Sequence, residues 1–331
     1  RGFIADELEA RFANLLGLAN TQDGEGNYLF SGYQGSAVPF SASATGSAVY
    51  LGDEGKRFVQ VGASRQVATS VSGSQVFESI RTGNGTFATA SAGNSAGGNN
   101  QGTGIVDQGS VGDLAKWQAA LANGALWQTP TAAGNLEVRF STTAAGVSQY
   151  QLFDVSNPAA PTAIGALTNF VSGQSIPLQN TNTLPVTDFG ASVVIQGQPA
   201  AGDRFSVAPS ANQSAFTTLR NVINILRSGV GSSTYSTTEF SNDIAGQLAN
   251  IDRVLENVNS VRSGVSATLK DLDSLTNLHK DSQLDFKSRL SDLQDLDYAQ
   301  AITDMSQQKM QLEAAQLTFK QTSQLSLFSI L

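Results

Sequence analysis

The sequence has no cysteine and only one histidine, His279, among 331 residues. Disulfides, thiolate nucleophiles and thiolate metal ligands are therefore excluded. A single histidine rules out paired-histidine metal motifs and leaves at most one Ser-His-Asp arrangement. Its neighbours, Asn277 and Lys280, favour a solvated position. We therefore predict a protein that is not an enzyme, with no catalytic, cofactor-binding or metal-binding residue.

Charged residues are scarce, at 14%, and the net charge is −8. An acidic chain lacks the basic face that binding to phosphate backbones requires, so no nucleic acid partner is expected. No apolar run approaches the roughly 18 residues of a membrane span, and no signal segment opens the chain. The sequence begins at Arg1 inside a helical pattern. We therefore expect that an N-terminal part of the natural protein precedes it.

Three other features have a structural and a functional interpretation. The segment 52–57 contains glycine and lysine but lacks the spacing of a phosphate loop, so a turn is favoured. Asp292, Asp295 and Asp297 lack the glycine and glutamate of a calcium loop, which favours a charged helix surface. Trp117 and Trp127 could form a sugar-stacking platform, but their place beside a short helix favours a core position.

The first zone, residues 1–45, is predicted to be a helix over about 3–20 followed by a loop. Ile4, Leu8, Phe12 and Leu15 recur at helical spacing and are predicted to be core. The helix should end before the glycines at 24 and 26.

The second zone, residues 46–209, alternates apolar and polar residues in short runs bounded by glycine or proline, which predicts half-buried strands. Asp113 is predicted to cap a short helix that reaches Ala122 and is closed by Asn123 and Gly124. The stretch 88–104 is almost wholly Ala, Gly, Ser, Asn and Thr. We expect a mobile surface loop there.

The third zone, residues 210–295, should be helical. Ser210 with Gln213, and Ser236 with Glu239, have the spacing of capping boxes. They predict helices over about 211–228 and 240–275, with the chain then continuing to 295. The second helix carries apolar residues at alternating steps of four and three, the seam of a coiled coil, and these are predicted rod core: Ile244, Leu248, Ile251, Leu255 and Val258.

The last zone, residues 296–331, is predicted to be a C-terminal helix. Apolar residues recur at intervals of seven, a period that is typical of a helix packed against a partner helix. An apolar stripe at a chain end is costly unless it is covered. We therefore predict a subunit interface formed by Tyr298, Ile302, Met305, Leu312, Ala315, Phe319, Leu325, Leu327 and Phe328.

Four segments carry a resemblance to a known family. They are 27–33 (Asn-Tyr-Leu-Phe-Ser-Gly-Tyr), 50–62, 199–209 (Pro-Ala-Ala-Gly-Asp-Arg-Phe-Ser-Val-Ala-Pro), and 295–303 together with 325–328. The first two resemble segments of flagellar hook-associated protein 3, the hook-filament junction family. The third resembles a strand shared by hook-associated proteins, and the last resembles the carboxyl terminus of flagellin-like proteins.

The resemblance implies an α+β fold: an elongated helical coiled-coil rod domain, an inserted, mainly β outer domain, and a C-terminal helix. The rod would comprise residues 1–45 and 210–295, and the N-terminal helices of the terminal domain would be absent from this sequence.

The resemblance also implies the function. Such a protein is a secreted structural subunit of the bacterial flagellum, exported through the type III apparatus and assembled at the hook-filament junction. The implied partners are other copies of itself, a neighbouring hook-associated protein, flagellin, and an export chaperone that binds the C-terminal helix. Two alternatives remain open: a flagellin filament subunit, and a secreted glycan-binding surface protein that uses Trp117 and Trp127.

Overall fold

The computed structural model describes residues 1–43, 46–62, 64–122, 136–231, 235–295 and 297–328, the last four without their side chains. The chain divides into two compact units, Arg1–Gly264 and Val265–Leu331. The described helices are α1 (Gly2–Ala19), α2 (Leu114–Ala122), α3 (Ala215–Arg227), α4 (Thr237–Gln294) and α5 (Tyr298–Phe328). With the sheets below they make an α+β protein.

The strands of the first unit are mostly short. They are β1 (Phe40–Ala42), β2 (Ala48–Tyr50), β3 (Phe58–Gly62), β4 (Arg65–Ala68), β5 (Ile80–Arg81), β6 (Phe87–Asn94), β7 (Ile105–Val106), β8 (Ser110–Val111), β9 (Leu136–Thr142), β10 (Ser148–Asp154), β11 (Thr162–Ala163), β12 (Thr168–Asn169), β13 (Ser175–Asn180), β14 (Thr187–Gln196), β15 (Asp203–Pro209) and β16 (Asn212–Gln213). A single π-helical turn, Ser74–Glu78, lies between β4 and β5.

The first unit contains a helical core around α1 and α3. Phe216 of α3 is fully buried, and its ring centroid lies 5.6 Å from Phe12, 5.1 Å from Phe40 and 5.7 Å from Phe77. Aromatic rings at these separations contribute more than their buried area alone. This cluster therefore joins α1, β1, the π-helical turn and α3 into one core.

The buried face of α1 differs from the predicted one. Ala5, Phe12 and Ala19, each seven residues apart, are buried, and Leu8 and Leu15 pack partly against the same core. Ile4 is 56% exposed, so its predicted core position does not hold. The small side chains of Ala5 and Ala19 let the α1 backbone approach α3. The buried face of α1 therefore does not include Ile4.

The helix α3 begins four residues later than its predicted capping box. Ser214 is the N-cap, and its Oγ accepts the backbone N–H of Thr217 at 3.0 Å. Ser210 instead donates its hydroxyl to the carbonyl of Thr82, next to β5. The predicted start at Ser210 is therefore wrong, because β15 and β16 extend the strand region to Gln213.

The second core lies between two antiparallel sheets. One sheet has the strand order β11-β10-β9-β15-β6, with β12 also paired to β10; the other has the order β13-β14-β7, with β8 also paired to β14. Their inward residues alternate along each strand, as in Leu136, Val138 and Phe140 of β9. The helix α2 closes this core with Trp117, which is 1% exposed.

The helix α2 begins as predicted, since the Asp113 carboxylate accepts the N–H groups of Ala115 and Lys116. Because Trp117 is buried in the core, it offers no open face to a sugar. Asn123, Gly124 and Trp127 lie outside the described residues.

The stretch 88–104, expected to be mobile, is held by one buried carboxylate. Asp203 is fully buried and accepts four N–H groups: those of Gln101, Gly102 and Ala200 from the backbone, and the side-chain amide of Asn94. Residues 88–94 all belong to strand β6, which pairs with β15. Polar anchoring replaces the apolar packing that this composition lacks.

The second unit contains the end of α4 and the whole of α5. The helix α4 runs 58 residues, to Gln294, and so extends well beyond the predicted end near 275. Asp297 caps α5 by accepting the N–H groups of Ala299 and Gln300. His279 is exposed within α4, in agreement with its predicted solvated position.

Candidate subunit interface

The first 28 residues of α4 belong to the first unit and present two chemically different faces. The helix starts as predicted at Ser236, whose Oγ accepts the N–H of Glu239 at 3.1 Å. The Glu239 carboxylate, predicted to complete a capping box, instead accepts the hydroxyl of Ser91 on β6. The start of α4 is thereby tied to the sheet.

The face of α4 that packs on the rest of the unit is rich in asparagine. The amide oxygen of Asn242 accepts the N–H of Val106, and its nitrogen donates to the carbonyl of Gly104. Asn250 accepts the N–H of Gly83, and Asn257 donates to the carbonyl of Val76. We call Asn242, Asn250 and Asn257 the asparagine row. Their spacings of eight and seven place them along one side of the helix.

The asparagine row lies beside apolar and charged contacts. Val254 and Val261 pack against the helical core, and the Nε of Arg253 donates to the carbonyl of Gly83. The first part of α4 is therefore attached to the rest of its unit mainly by hydrogen bonds to backbone groups of loops and short strands. Such bonds satisfy backbone groups that the short strands leave without ladder partners.

Burial raises the pKa of the Glu239 carboxyl above its ordinary value of 4.5, although the Ser91 hydroxyl opposes the shift. The negative charges of Asp243 and Asp203 act in the same direction as burial. Burial also raises the pKa of Tyr235, whose hydroxyl donates to the Asp243 carboxylate at 2.6 Å. The start of α4 is therefore an acidic, partly desolvated site.

The opposite face of α4 carries the apolar residues that were predicted to be rod core. Leu248, Leu255 and Val258 are exposed, so they are not core within this chain. Ile244 and Ile251 are half-buried. These five residues, which we call the α4 seam, keep their four-three spacing and form an apolar strip on the surface of the unit.

The helices α1 and α3 are joined by an ion-pair cluster. Arg220 forms a bidentate pair with Glu9, with Nη–Oε distances of 2.9 and 2.8 Å, and its guanidinium lies over the ring of Phe12. Arg227 reaches both Asp6 and Glu9. The hydrogen bond from Arg220 holds the pKa of the Glu9 carboxyl below its ordinary value, although desolvation opposes the shift.

In the second unit, α5 exposes the residues of the predicted interface. Tyr298, Met305, Leu312 and Phe319 are seven residues apart, and Leu312 and Phe319 are 60% and 77% exposed. With Ile302 and Ala315, also exposed, we call these residues the α5 stripe. The side chains of Leu325, Leu327 and Phe328 lie outside the described residues. No residue of this unit that the structure describes is buried.

The acidic residues near the start of α5 have structural partners. Asp297 is the α5 cap, and Asp295 accepts the hydroxyl of Ser291. Among the described residues, no group of three or more acidic or histidine side chains is arranged to hold a metal ion. Within the same residues, no helix is long and apolar enough to cross a membrane.

Sequence comparison finds two curated relatives, both named flagellar hook-associated protein 3. The chain is 39% identical to that of Salmonella typhimurium and 36% identical to that of Escherichia coli, each over 80 residues. Each match spans 24% of this chain and 24% of the relative, about a quarter of the relative's length. No family model matches the sequence.

Solved structures extend the similarity over most of the chain. A flagellar hook-associated protein 3 from Legionella pneumophila superposes with a TM-score of 0.72 at 28% identity, covering 90% of this chain and 82% of that one. The protein FlgL of Xanthomonas campestris gives a TM-score of 0.68 at 25% identity, covering 88% and 82%. The fold and part of the sequence are therefore shared with these proteins.

Proposed function

From this similarity in sequence and fold to flagellar hook-associated protein 3, we propose that the chain is a structural subunit of the bacterial flagellum at the hook-filament junction. It acts by being assembled between other proteins and not by catalysis. The observation that carries the proposal is the fold shared with junction proteins over 90% of this chain. The exposed α4 seam and α5 stripe supply the surfaces that assembly requires.

We assign four segments to this role. Residues 1–45 and 210–295 form a rod domain, 46–209 form an outer domain inserted into it, and 296–331 form the C-terminal helix of a terminal domain. The two separate hydrophobic cores support a division between rod and outer domain. The four-three spacing of the α4 seam supports coiled-coil packing of the rod against a neighbour.

The proposed partners are those that the family similarity implies. Other copies of this chain cover the α4 seam and the α5 stripe, with a neighbouring hook-associated protein on one side and flagellin on the other. An export chaperone covers the C-terminal helix before assembly. Exposed Leu312 and Phe319 support such coverage, because apolar side chains in a regular stripe gain free energy when buried.

Assembly at the distal end of a growing flagellum requires export in an unfolded state through the type III channel. A chain without cysteine suits that route, since it cannot form a disulfide on the way. In this proposal α5 gains its packing only when it docks, so the loss of conformational entropy is incurred at that step. This entropy cost opposes polymerisation before docking. The proposed site of the mature protein is therefore outside the cell, at the junction.

The alternative of a flagellin filament subunit is less well supported, because the relatives in both comparisons carry the junction-protein name. The full-length natural protein, purified alone, should not form long filaments. Long filaments seen by electron microscopy would favour flagellin.

The assembly proposal is tested by substituting Leu312→Asp in the natural gene of the source bacterium. A charge in the α5 stripe should prevent docking, so cells should lose motility and shed filaments while still exporting the protein. Gln307→Asp is the matched control, since it adds the same charge to an exposed position on α5 outside the stripe. Normal filaments and swimming with Leu312→Asp would overturn the assigned interface.

A further inference from the structure

A cleft of about 200 Å³ opens on the sheet of β9, β10 and β15, on the face away from the core. Its floor contains Arg139, Arg204 and Gln151, and its walls include Phe153, Leu167 and Ser95. Residues of this face alternate with the buried Val138, Leu152 and Phe205. The strands therefore supply most of the cleft, and the adjoining loops contribute Ser95, Leu167 and Gly202.

Two arginines are directly opposite each other in this sheet. Arg139 of β9 is the register partner of Arg204 of β15 on one side and of Gln151 of β10 on the other. Like charges at directly opposed positions repel and destabilise a sheet. One carboxylate, that of Glu137, compensates by accepting the Nε–H of Arg139 at 2.8 Å. The two arginines and Glu137 together still carry one excess positive charge, although the net charge of the whole chain is −8.

The guanidinium groups are fixed in place but not saturated. Arg139 lies over the Phe153 ring, 4.4 Å from its centroid. Arg204 donates from Nε to the carbonyl of Gly93 and from Nη2 to that of Asn94. Within the described part of the chain, neither Nη nitrogen of Arg139 nor Nη1 of Arg204 has a protein acceptor. A guanidinium presents five donors in a rigid fork that matches a carboxylate.

The surroundings of the arginines add two further properties. Phe153 and Leu167 provide an apolar wall, and Ser95, Ser141 and Gln151 provide hydroxyl and amide groups. A sugar ring has apolar C–H faces that pack on such a wall and hydroxyls that bond to such groups. The volume of about 200 Å³ suits a single ring.

We propose that this cleft binds one carboxylate-bearing sugar residue, of the uronic acid class, with Arg139 and Arg204 on the carboxylate. The ligand's negative charge removes the repulsion between the two arginines, and the ring packs beside Phe153 and Leu167. This activity is separate from the junction role, because it uses neither the α4 seam nor the α5 stripe. It gives the outer sheet a way to hold acidic polysaccharide at the cell surface.

The test is a titration of the complete chain with glucuronic acid, glucose and acetate, followed by NMR chemical shifts of amides in β9, β10 and β15. Glucuronic acid should bind at least about tenfold more tightly than either glucose or acetate, because it alone offers both the charge and the ring. Equal affinities for glucuronic acid and acetate would show a nonspecific anion site. Equal affinities for glucuronic acid and glucose, or no binding at all, would likewise overturn the proposal.

Two variants assign the binding to these residues. Arg139→Gln should weaken glucuronic acid binding by about tenfold or more, and Arg139→Lys, which keeps the charge but loses the fork, should fall between it and the native chain. Arg11→Gln on α1 removes the same charge away from this sheet and should leave binding unchanged. Leu167→Ser tests the apolar wall without adding a charge and should also reduce binding. Native affinity in both Arg139→Gln and Leu167→Ser would exclude the cleft.

Discussion

The two units of the chain differ in how their helices gain stability. In Arg1–Gly264, helices and sheets surround two hydrophobic cores with fully buried Phe216 and Phe205. In Val265–Leu331, none of the described residues is buried, and the helices expose regular apolar positions. Helices gain most of their stability in proteins from packing an apolar face. The first unit therefore supplies its own packing, whereas the proposed role has the second unit packed by a partner.

The same contrast appears on the two sides of α4. The buried side holds polar asparagines and the exposed side holds the leucines of the seam. A helix built only to complete this chain's own core would show the reverse arrangement. This arrangement supports the proposal that the α4 seam is an interface, while the asparagine row attaches α4 to the rest of its own unit.

The largest expected effect comes from Phe216→Ala. Removing a fully buried ring should lower the free energy of unfolding by about 3–5 kcal/mol, from lost burial and the remaining cavity. Phe319→Ala in the α5 stripe should change it by less than about 0.5 kcal/mol, because that ring is exposed. Denaturant unfolding followed by circular dichroism compares the two. Equal losses of unfolding free energy in the two variants would contradict the conclusion that the two units differ in their internal packing.

The two faces of α4 are compared by Asn250→Ala and Leu248→Ala. The first leaves the N–H of Gly83 without its acceptor, so about 1–3 kcal/mol of stability should be lost. The second truncates an exposed side chain and should cost less than about 0.5 kcal/mol. Thermal unfolding of the isolated chain measures both. A larger loss for Leu248→Ala would mean that the seam is packed inside the chain.

The ion pair between α1 and α3 should make the helical core sensitive to acid. Because the folded pKa of Glu9 is lowered from 4.5, its contribution is complete above that pH and is lost as pH falls through the folded pKa. Glu9→Gln should therefore reduce the melting temperature at neutral pH. On acidification, the melting temperature of this variant should fall less than that of the native chain. Glu7→Gln, in an exposed pair with Arg11, is the control and should have little effect. An unchanged acid profile in Glu9→Gln would contradict the assignment.

A smaller effect of opposite sign is expected at the start of α4. The raised pKa of Glu239 means that the folded state favours the protonated carboxyl, so stability is lost as pH rises through the folded pKa. Glu239→Gln keeps an acceptor for Ser91 without the charge and should raise the melting temperature slightly at neutral pH. This gain should vanish on acidification. A decrease at neutral pH would show that the charge itself stabilises the contact.

Local patterns in the sequence predicted most of the helices. The N-cap at Asp113 and the start of α4 at Ser236 are set by bonds within three residues, so the chain itself encodes them. The start of α3 was missed because Ser210 and Ser214 have equivalent local chemistry. What separates them is the pairing of β16 with β5, which joins residues more than 100 positions apart.

Contacts distant in sequence explain the other differences. The asparagine row was not predicted, because polar residues on a helix are expected to face solvent, and its named hydrogen-bond partners lie 136 to 181 residues away. The order of 88–104 likewise depends on Asp203. Of the candidate interface, the periodicity predicted the α5 stripe, but it could not reveal which side of α4 this chain itself would cover.

The central claim is that Val265–Leu331 gains its packing only from other molecules, and hydrogen exchange tests it most directly. In the isolated chain, amides of α5 should exchange far faster than those of β9 and β14, because no described side chain of that unit is buried. In flagella assembled from the natural protein, the same α5 amides should become protected. Protection of α5 in the isolated chain equal to that of the sheets, or no gain on assembly, would contradict the account.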